Sequence, residues 1–185
     1  DGHVLNGALL AIGLGVILSV DPTSGPLVGG ESGAVTVDAA VALASDTAWS
    51  VAELSLPVVL GALFPDVDTA FGRHRKTLHN LPILAIFLAF PYVFGNLQFV
   101  WIGVATHYLL DMVGSKRGIA LFYPLSTTEY DLPTGVATSS NWAIRVTVLV
   151  TVLELVLLAL VHNYVFALDT SLAEATSTFG VLIGL

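Results

Sequence analysis

Residues 142–168, WAIRVTVLVTVLELVLLALVHNYVFAL, form the longest apolar run in the chain and decide its fold class. An α-helix rises about 1.5 Å per residue, so a helix over this run is long enough to cross a hydrocarbon core of about 30 Å. Long apolar runs of this kind are typical of bilayer spans. We therefore predict a membrane-spanning helix over residues 142–168.

Four further apolar segments precede this helix, and together they predict an all-α integral membrane protein of about five helical segments. They are residues 4–20, 51–64, 81–95 and 97–113. The first lacks the basic start and the cleavage site of a signal peptide, so we interpret it as a retained helix. The last two form a predicted hairpin that turns at Gly95–Asn96, with Pro82 in a first helical turn. Residues 1–185 are predicted to be a single membrane domain.

The composition agrees with this fold class and excludes several functions. Hydrophobic residues make up 55% of the chain and charged residues 11%, against about 25% charged residues in an ordinary soluble domain. The chain has no cysteine, which excludes disulfides and thiolate metal ligands. Its net charge of -8 argues against a nucleic-acid partner, because nucleic-acid binding needs a basic surface.

Three polar segments separate the predicted helices, and the basic residues predict their orientation. Residues 21–50 contain no Lys or Arg and are predicted to form an extramembrane insert, with a short helix around residues 37–48. Residues 65–80 and 114–141 are predicted to be loops that carry or flank the functional site. All Lys and Arg residues lie in or beside these two loops: Arg73, Arg75, Lys76, Lys116, Arg117 and Arg145. Since cytoplasmic loops carry the excess of Lys and Arg, we expect both loops and the N-terminus at the cytoplasmic face of the cell membrane.

Histidine and aspartate side chains gather at the same predicted face, in spacings that fit a metal site. The set is His3, Asp66, Asp68, His74, His79, His107 and Asp111. His107 and Asp111 are four residues apart in THYLLD, hence on one face of a helix. Asp66 and Asp68 follow a proline, where extended backbone would point both carboxylates the same way. Imidazole and carboxylate together suit zinc, with manganese or iron as alternatives.

Several titratable and basic residues also have a simpler interpretation. Asp66 and Asp68 alone suit a helix cap or a turn, and one His–Asp pair on a helix is a weak signal. Arg73 and Lys76 suit anchors at the membrane interface. His162 is interpreted as an interfacial or packed histidine. Glu154 is interpreted as protonated and hydrogen-bonded to another helix, with a place facing a cavity as the alternative.

Three blocks of the sequence resemble the YdjM-type family of membrane-bound, predicted metal-dependent hydrolases. They are GALFPDVDT over 61–69, GRHRKTLHN over 72–80 and GVATHYLLDMVGSKRGIALFYPLS over 103–126. The family pattern maps onto the same seven His and Asp residues, together with Arg75, Pro124 and Ser126. One departure is clear: the Thr-His-Ser of the family is Leu78-His79-Asn80 here, so a ligand that a hydroxyl orients in the family must be oriented otherwise.

The resemblance implies hydrolysis of an ester or phosphoester in a lipid or membrane-associated substrate at the cytoplasmic face. The expected metal ligands are His3, Asp66, His79, His107 and Asp111, with Asp68 and His74 as ligands or as groups that orient them. Since the candidates outnumber the four ligands of one tetrahedral ion, a carboxylate-bridged pair or trio of ions is also open. Catalysis is expected to involve Asp66, Asp68 and Arg75, and a phosphate to bind Arg75, Lys116 or Arg117.

Two other functions remain open from the sequence. The first is a non-enzymatic membrane subunit or scaffold of a larger complex, in which the metal is structural and fully enclosed by protein ligands. The second is a metal transporter, which would place its ligands near the membrane midplane with access from both faces. The expected partner in the hydrolase interpretation is membrane lipid, with a lipid-borne phosphate as substrate, while the oligomeric state is left open.

Overall fold

The computed structural model describes residues 2–20, 37–137 and 139–166, and this part of the chain contains five α-helices. They are α1 (Gly2–Leu18), α2 (Val37–Leu63), α3 (Leu81–Phe94), α4 (Val100–Gly114) and α5 (Ala143–Leu160). A 3-10 turn, Pro65–Thr69, follows α2, and a π-helical turn, Val161–Phe166, continues α5. β-Pairing within the described ranges is limited to two isolated bridges. The prediction of an all-α fold is therefore confirmed.

Helix α2 is longer than the sequence predicted. The short helix expected around residues 37–48 and the apolar segment 51–64 are one continuous helix, Val37–Leu63. Polar side chains lower the hydropathy of its first half but do not break a helix, and Thr47 donates its hydroxyl to the Leu43 carbonyl of the same helix at 2.8 Å. Of the predicted insert 21–50, residues 21–36 lie outside the described part of the chain. Residues 167–185 also lie outside it.

The helices pack around an apolar cluster in which α1 meets α2. Leu10, Ala11 and Leu14 of α1 lie against Leu54 and Val58 of α2, and all five are buried. Helix α1 also packs against α5, α2 packs against α4, and α3 lies along α4. This arrangement leaves α1, α2, α4 and α5 as a bundle whose ends bring distant parts of the chain together.

Two glycines allow α2 and α4 to touch through their backbones. A Cβ at Gly61 would lie 2.1 Å from the Val100 carbonyl oxygen, and one at Gly103 would lie 2.0 Å from the Val58 carbonyl oxygen. Small residues at helix crossings are common in membrane proteins, where packing rather than water drives helices together. The close crossing fixes the height of α4 relative to the end of α2.

The outer face of α5 is apolar and exposed, as expected of a helix that contacts lipid. Helices α2 and α5 are long and apolar enough to cross a membrane, and α1, α3 and α4 are shorter apolar helices. Leu153 is 59% exposed and Leu157 is 62% exposed. A core helix of a soluble protein would bury such side chains, since each exposed leucine forfeits about 1.5–3 kcal/mol in water. The exposed apolar face indicates a membrane protein.

The α3–α4 hairpin begins and turns as the sequence predicted. Asn80 caps α3 by accepting a hydrogen bond from the Ile83 amide at 3.1 Å, and Pro82 occupies the first turn. Gly95 ends α3 with φ of 68°, a left-handed conformation that glycine adopts without penalty. The hairpin therefore returns α4 to the end of the bundle where α3 starts.

Candidate metal centre

The structure brings all seven predicted His and Asp residues to one end of the bundle. His3 lies in the first turn of α1, and the last turns of α4 carry His107 and Asp111. Asp66 and Asp68 come from the 3-10 turn, and His74 and His79 from the segment between that turn and α3. Three overlapping groups have ligand atoms close enough to share an ion: His3–Asp66–His107, Asp66–His74–His79 and His79–His107–Asp111.

The hydrogen bonds of two buried histidines define which ring nitrogen is available. His107 donates from Nδ1 to the Ala62 carbonyl at 2.6 Å, and this oxygen can only accept. His79 places Nδ1 3.0 Å from Asp68 Oδ2, a carboxylate acceptor. With its proton on Nδ1, each neutral imidazole has a lone pair on Nε2. The two Nε2 atoms point at each other across 3.0 Å.

This pair of facing nitrogens is unfavourable unless a cation lies between them, and it is the strongest sign of a metal site. Two lone pairs at hydrogen-bond distance repel each other, because neither nitrogen has a proton to share. Asp111 Oδ2 lies 3.5 Å from His79 Nε2 and 3.7 Å from His107 Nε2. It is buried and finds no hydrogen-bond partner among the described residues. Buried polar atoms almost always have a partner, and a cation beside the two histidines would provide one for this oxygen.

The spacing of these atoms matches a tetrahedral ion. Zinc bonds of about 2.0–2.1 Å separate neighbouring ligand atoms by about 3.3 Å. Asp66 Oδ1 adds a fourth candidate, 3.8 Å from His79 Nε2 and 3.7 Å from His107 Nε2. The side chains of His79, His107 and Asp111 are 0–3% exposed, whereas that of Asp66 is 35% exposed. The residues therefore fit a zinc-like cation, with Asp66 on the side of the centre that faces solvent.

His3 extends the centre towards α1. Its ring stacks on His107 with 3.8 Å between centroids and 15° between planes. Its Nε2 atom lies 3.7 Å from Asp111 Oδ1. The group His3–Asp66–His107 overlaps the buried group at His107. Helix α1 thus contributes one imidazole beside the main ligand set.

Asp68 lies behind the candidate ligands and belongs to none of the groups that can share an ion. Its carboxylate is fully buried, with Oδ1 3.0 Å from His74 Nδ1 and Oδ2 3.0 Å from His79 Nδ1. Oδ2 also accepts the Leu78 amide at 3.2 Å. A carboxylate in this place fixes the tautomer and the orientation of a metal-binding imidazole. Of the two roles that the sequence allowed for Asp68, the geometry supports orientation.

The sequence predicted extended backbone at Asp66 and Asp68, and this prediction was wrong. Residues Pro65–Thr69 form a 3-10 turn, not an extended strand, and Pro65 at its first position suits a helical start. The two carboxylates still reach the centre, because the turn follows the end of α2 directly and the neighbouring segment with His74 and His79 folds over it. Asp66 and Asp68 consequently contact different sides of His79.

Burial keeps His79 neutral. Desolvation lowers the pKa of its imidazole to about 4, although the Asp68 carboxylate acts in the opposite direction. The neutral ring is the form that binds a metal. His79 is thus neutral near pH 7 even before any metal is considered.

Arg75 holds Asp111 in place. Its backbone has a φ of 66°, which is uncommon for a residue other than glycine and is often found at functional sites. Its guanidinium donates to Asp111 Oδ1 at 3.1 Å, to Ser115 Oγ at 2.7 Å and to the Arg117 carbonyl. The side chain is 11% exposed. Arg75 therefore ties the loop before α3 to the end of α4 and directs Asp111 Oδ2 towards the histidines.

Two other basic residues form a surface cluster with Glu129, a residue that the sequence did not single out. Arg117 and Lys76 each reach Glu129 Oε1 at 3.2 Å. The hydrogen bond from Arg117 lowers the pKa of Glu129, and the same bond raises the pKa of Arg117. Lys116 is exposed next to Arg117. The cluster places positive charge beside the centre, with part of it neutralised by Glu129.

Tyr108 is a second residue that sequence reasoning missed. Its hydroxyl donates to the Leu78 carbonyl at 2.5 Å and accepts the Asn80 amide at 3.2 Å. These bonds hold both neighbours of His79, and the Leu78 amide is held by Asp68. The departure Leu78-His79-Asn80 is thereby explained, since backbone bonds and the Asn80 cap orient His79 without a hydroxyl on either side. The position of Tyr108 directly after His107 was the available signal.

A cavity of about 300 Å³ adjoins the centre between α1, α4 and α5. His3 and Asp111 lie at one side of it. Leu110, Ile144 and Val146 form apolar parts of its wall. The cavity gives the centre an apolar neighbourhood on the side where α5 begins.

Two titratable residues lie away from the centre, as the sequence predicted. His162 donates from Nε2 to the Val20 carbonyl at 3.0 Å, which confirms a packed histidine. Glu154 is hydrogen-bonded to Thr106 of α4 at 2.5 Å and to Asn6 of α1 at 3.0 Å, which confirms contacts with other helices. Neither residue belongs to the groups that can share an ion.

Five helices with exposed apolar faces and a His/Asp cluster at one end define a membrane protein with a candidate metal site. The sequence pattern of the YdjM inner membrane protein family matches residues 2–179, so the chain belongs to this family. No curated protein and no solved structure matches the chain. The match also includes residues 21–50, the predicted insert, which none of the three sequence blocks covers.

Proposed function

We propose that this protein is a membrane-bound, metal-dependent hydrolase of an ester or phosphoester in a lipid or membrane-associated substrate. The observation that carries the proposal is the pair of facing Nε2 atoms of His79 and His107, with the unpartnered Asp111 Oδ2 beside them. Such a set is built to hold a divalent cation. A bound cation would lower the pKa of a water molecule to about 7 and would polarise the scissile group.

The residues around the centre divide into three roles under this proposal. His79, His107 and Asp111 hold the ion, and Asp68 and Arg75 orient two of them. A catalytic metal must leave a position for water or substrate. Because the side chain of Asp66 is 35% exposed, we assign to it the role of accepting a proton from the attacking water.

The surroundings favour a substrate with an apolar part and an anionic part. The cavity beside His3 and Asp111 has walls of leucine, isoleucine and valine, which suit a hydrocarbon chain. Lys76, Lys116 and Arg117 place positive charge at the surface next to the centre, which suits a phosphate. A lipid phosphoester has both parts.

The proposed orientation is multi-pass, with the metal centre at the cytoplasmic face. The cluster formed by Lys76 and Arg117 lies at the same end of the bundle as the His and Asp residues, and Arg145 lies in the first turn of α5. Cytoplasmic loops carry the excess of Lys and Arg. This orientation would present the centre to lipids of the inner leaflet.

A structural metal in a non-enzymatic membrane subunit is the second candidate. It is favoured by the burial of His79, His107 and Asp111, whose side chains are 0–3% exposed. A structural site is closed by protein ligands, whereas a catalytic site keeps one position open. The two candidates therefore differ in whether Asp66 and His3 complete the shell around the ion.

Hydrolysis by the purified protein tests the proposal against this alternative. Zinc-loaded protein in liposomes is expected to cleave at least one member of a panel of lipid phosphoesters and acyl esters, and a chelator is expected to stop the reaction. Asp66→Asn should abolish turnover, because it removes the exposed carboxylate, while His162→Ala should leave turnover unchanged. Zinc-loaded protein with no turnover across the panel, together with an ion fully ligated by side chains, would favour the structural subunit.

A further inference from the structure

Four polar side chains from three helices meet in the apolar interior, on the bilayer side of the metal centre. They are Asn6 of α1, Thr106 of α4, and Thr151 and Glu154 of α5. Glu154 lies about 16 Å along α5 from its first residue, near the middle of the candidate span Ala143–Val165. It lines an apolar pocket with Leu10 and Leu158. A carboxyl group at this depth is costly unless its bonding needs are met by protein.

The network of Asn6, Thr106, Thr151 and Glu154 has one contact more than the protons of Asn6 and Thr106 can serve. Asn6 Nδ2 lies 2.9 Å from Thr151 Oγ1 and 3.0 Å from Glu154 Oε2, so its two protons serve these contacts. Thr106 Oγ1 lies 2.6 Å from Asn6 Oδ1, which can only accept, and the single hydroxyl proton of Thr106 is used there. The contact of Thr106 Oγ1 with Glu154 Oε1 at 2.5 Å then needs a proton from Glu154.

Exchanging the oxygen and nitrogen of the Asn6 amide does not remove this requirement. The amide oxygen would then face Glu154 Oε2 at 3.0 Å, a contact that again needs a proton on the carboxyl group. It would also face Thr151 Oγ1, whose proton already goes to the Thr147 carbonyl at 2.9 Å. The first assignment is the complete one, and both require a neutral Glu154.

We propose that Glu154 is a neutral carboxylic acid and a positioning residue for the metal centre. Its proton closes the network that sets α1 and α4 against each other, and so sets His3 against His107. This inference rests on the proposed metal centre, and it adds a residue from the membrane interior that contacts neither the ion nor the substrate.

The route from Glu154 to the centre is short. Asn6 lies three residues after His3 on α1, and Thr106 directly precedes His107 on α4. The Asn6–Thr106 bond therefore fixes the rotation of the two helices next to the point where the rings of His3 and His107 stack. Glu154 bonds both Asn6 and Thr106 from α5, which holds that bond in place.

The zinc affinities of three variants test the positioning role. They are measured by competition with a chelator, at a temperature where the metal-free protein is folded. Glu154→Leu keeps an apolar side chain of similar size but removes both bonds, and should weaken zinc binding about tenfold, as loss of a residue that supports a ligand does. Glu154→Gln can still donate to Thr106 and accept from Asn6, and should keep the wild-type affinity. Ser55→Ala is the control, since Ser55 donates to the Val51 carbonyl of its own helix.

Thr106→Val is the second variant if Glu154→Leu does not fold. It removes the acceptor of the Glu154 proton at almost constant volume and should weaken zinc binding in the same way. Wild-type affinity in the folded Leu and Val variants would overturn the positioning role. Equal losses in Glu154→Leu and Glu154→Gln would also overturn it, because they would show that an ionised carboxylate is needed.

An infrared difference spectrum between wild type and Glu154→Gln tests the neutral carboxyl separately. Near neutral pH it should contain the C=O stretch of a protonated carboxyl group, and absence of this band would contradict the proton count. Wild-type protein that binds no zinc would contradict the proposed metal centre and the positioning role with it, whereas the infrared band would still decide the state of Glu154.

Discussion

At the scale of single residues, the centre depends on pairs in which one side chain binds and another orients. Asp68 orients His79, and Arg75 orients Asp111. The sequence could predict the ligands, because His and Asp at suitable spacings are visible in it. It could not predict which aspartate stands behind a histidine, since Asp66 and Asp68 differ only in the side of the turn from which they leave.

Asp68→Asn tests the orienting role. The amide cannot accept hydrogen bonds on both of its atoms from His74, His79 and the Leu78 amide, so the tautomer of His79 is no longer fixed. We expect zinc affinity to fall by about 10–100-fold, measured by competition with a chelator. Glu129→Gln makes the same chemical change in the surface cluster and should leave zinc affinity unchanged. Equal affinities in both variants would show that Asp68 does not support the ligand.

At the scale of elements, the apolar runs of the sequence predicted where the helices lie but not where all of them begin and end. The hairpin at Gly95 was predictable because glycine marks a left-handed helix end. The start of α2 was not predictable, because hydropathy reports which residues prefer lipid and not which residues are helical. The 3-10 turn Pro65–Thr69 was also missed, because its shape depends on the segment with His74 that packs over it.

The crossing of α2 and α4 makes Gly103 a test at this scale. In Gly103→Ala the new Cβ would lie 2.0 Å from the Val58 carbonyl oxygen and 2.5 Å from the Ala62 amide nitrogen, so the backbones must move apart. We expect a loss of about 1–3 kcal/mol of stability, seen as a lower Tm in detergent. Ala85→Val adds bulk on the exposed side of α3 and should leave the Tm close to that of wild type. A Gly103→Ala variant as stable as Ala85→Val would mean that the helices cross further apart.

At the scale of the whole molecule, the helix bundle explains why residues far apart in sequence meet. His3, Asp66, His79 and Asp111 lie at the ends of elements that point to one end of the bundle. Alternating spans and the distribution of Lys and Arg predicted this convergence. The distances, the stacking of His3 on His107 and the Glu154 network could not be predicted, because they depend on how the helices rotate against each other.

Labelling of single introduced cysteines tests the orientation in the membrane. The sequence has no cysteine of its own that would react with the label. Asn96, in the α3–α4 turn, and Lys116, after α4, are both exposed and lie at opposite ends of α4. A membrane-impermeant thiol reagent should label Asn96→Cys on intact cells and Lys116→Cys only after permeabilisation. The reverse pattern would place the metal centre outside the cytoplasm and contradict a substrate in the inner leaflet.

The metal content of purified protein tests the central claim most directly, because the facing Nε2 atoms of His79 and His107, each ring with its proton on Nδ1, repel each other unless a cation lies between them. Elemental analysis should find at least about one transition-metal ion per wild-type chain, since the ligand atoms of His79, His107 and Asp111 lie close enough together to share one ion. His107→Ala and Asp111→Ala should each lose most of this metal, while His162→Ala, which changes a histidine bonded to the Val20 carbonyl, should retain it. Metal-free wild-type protein after purification with added zinc, or equal metal content in all three variants, would contradict the metal centre.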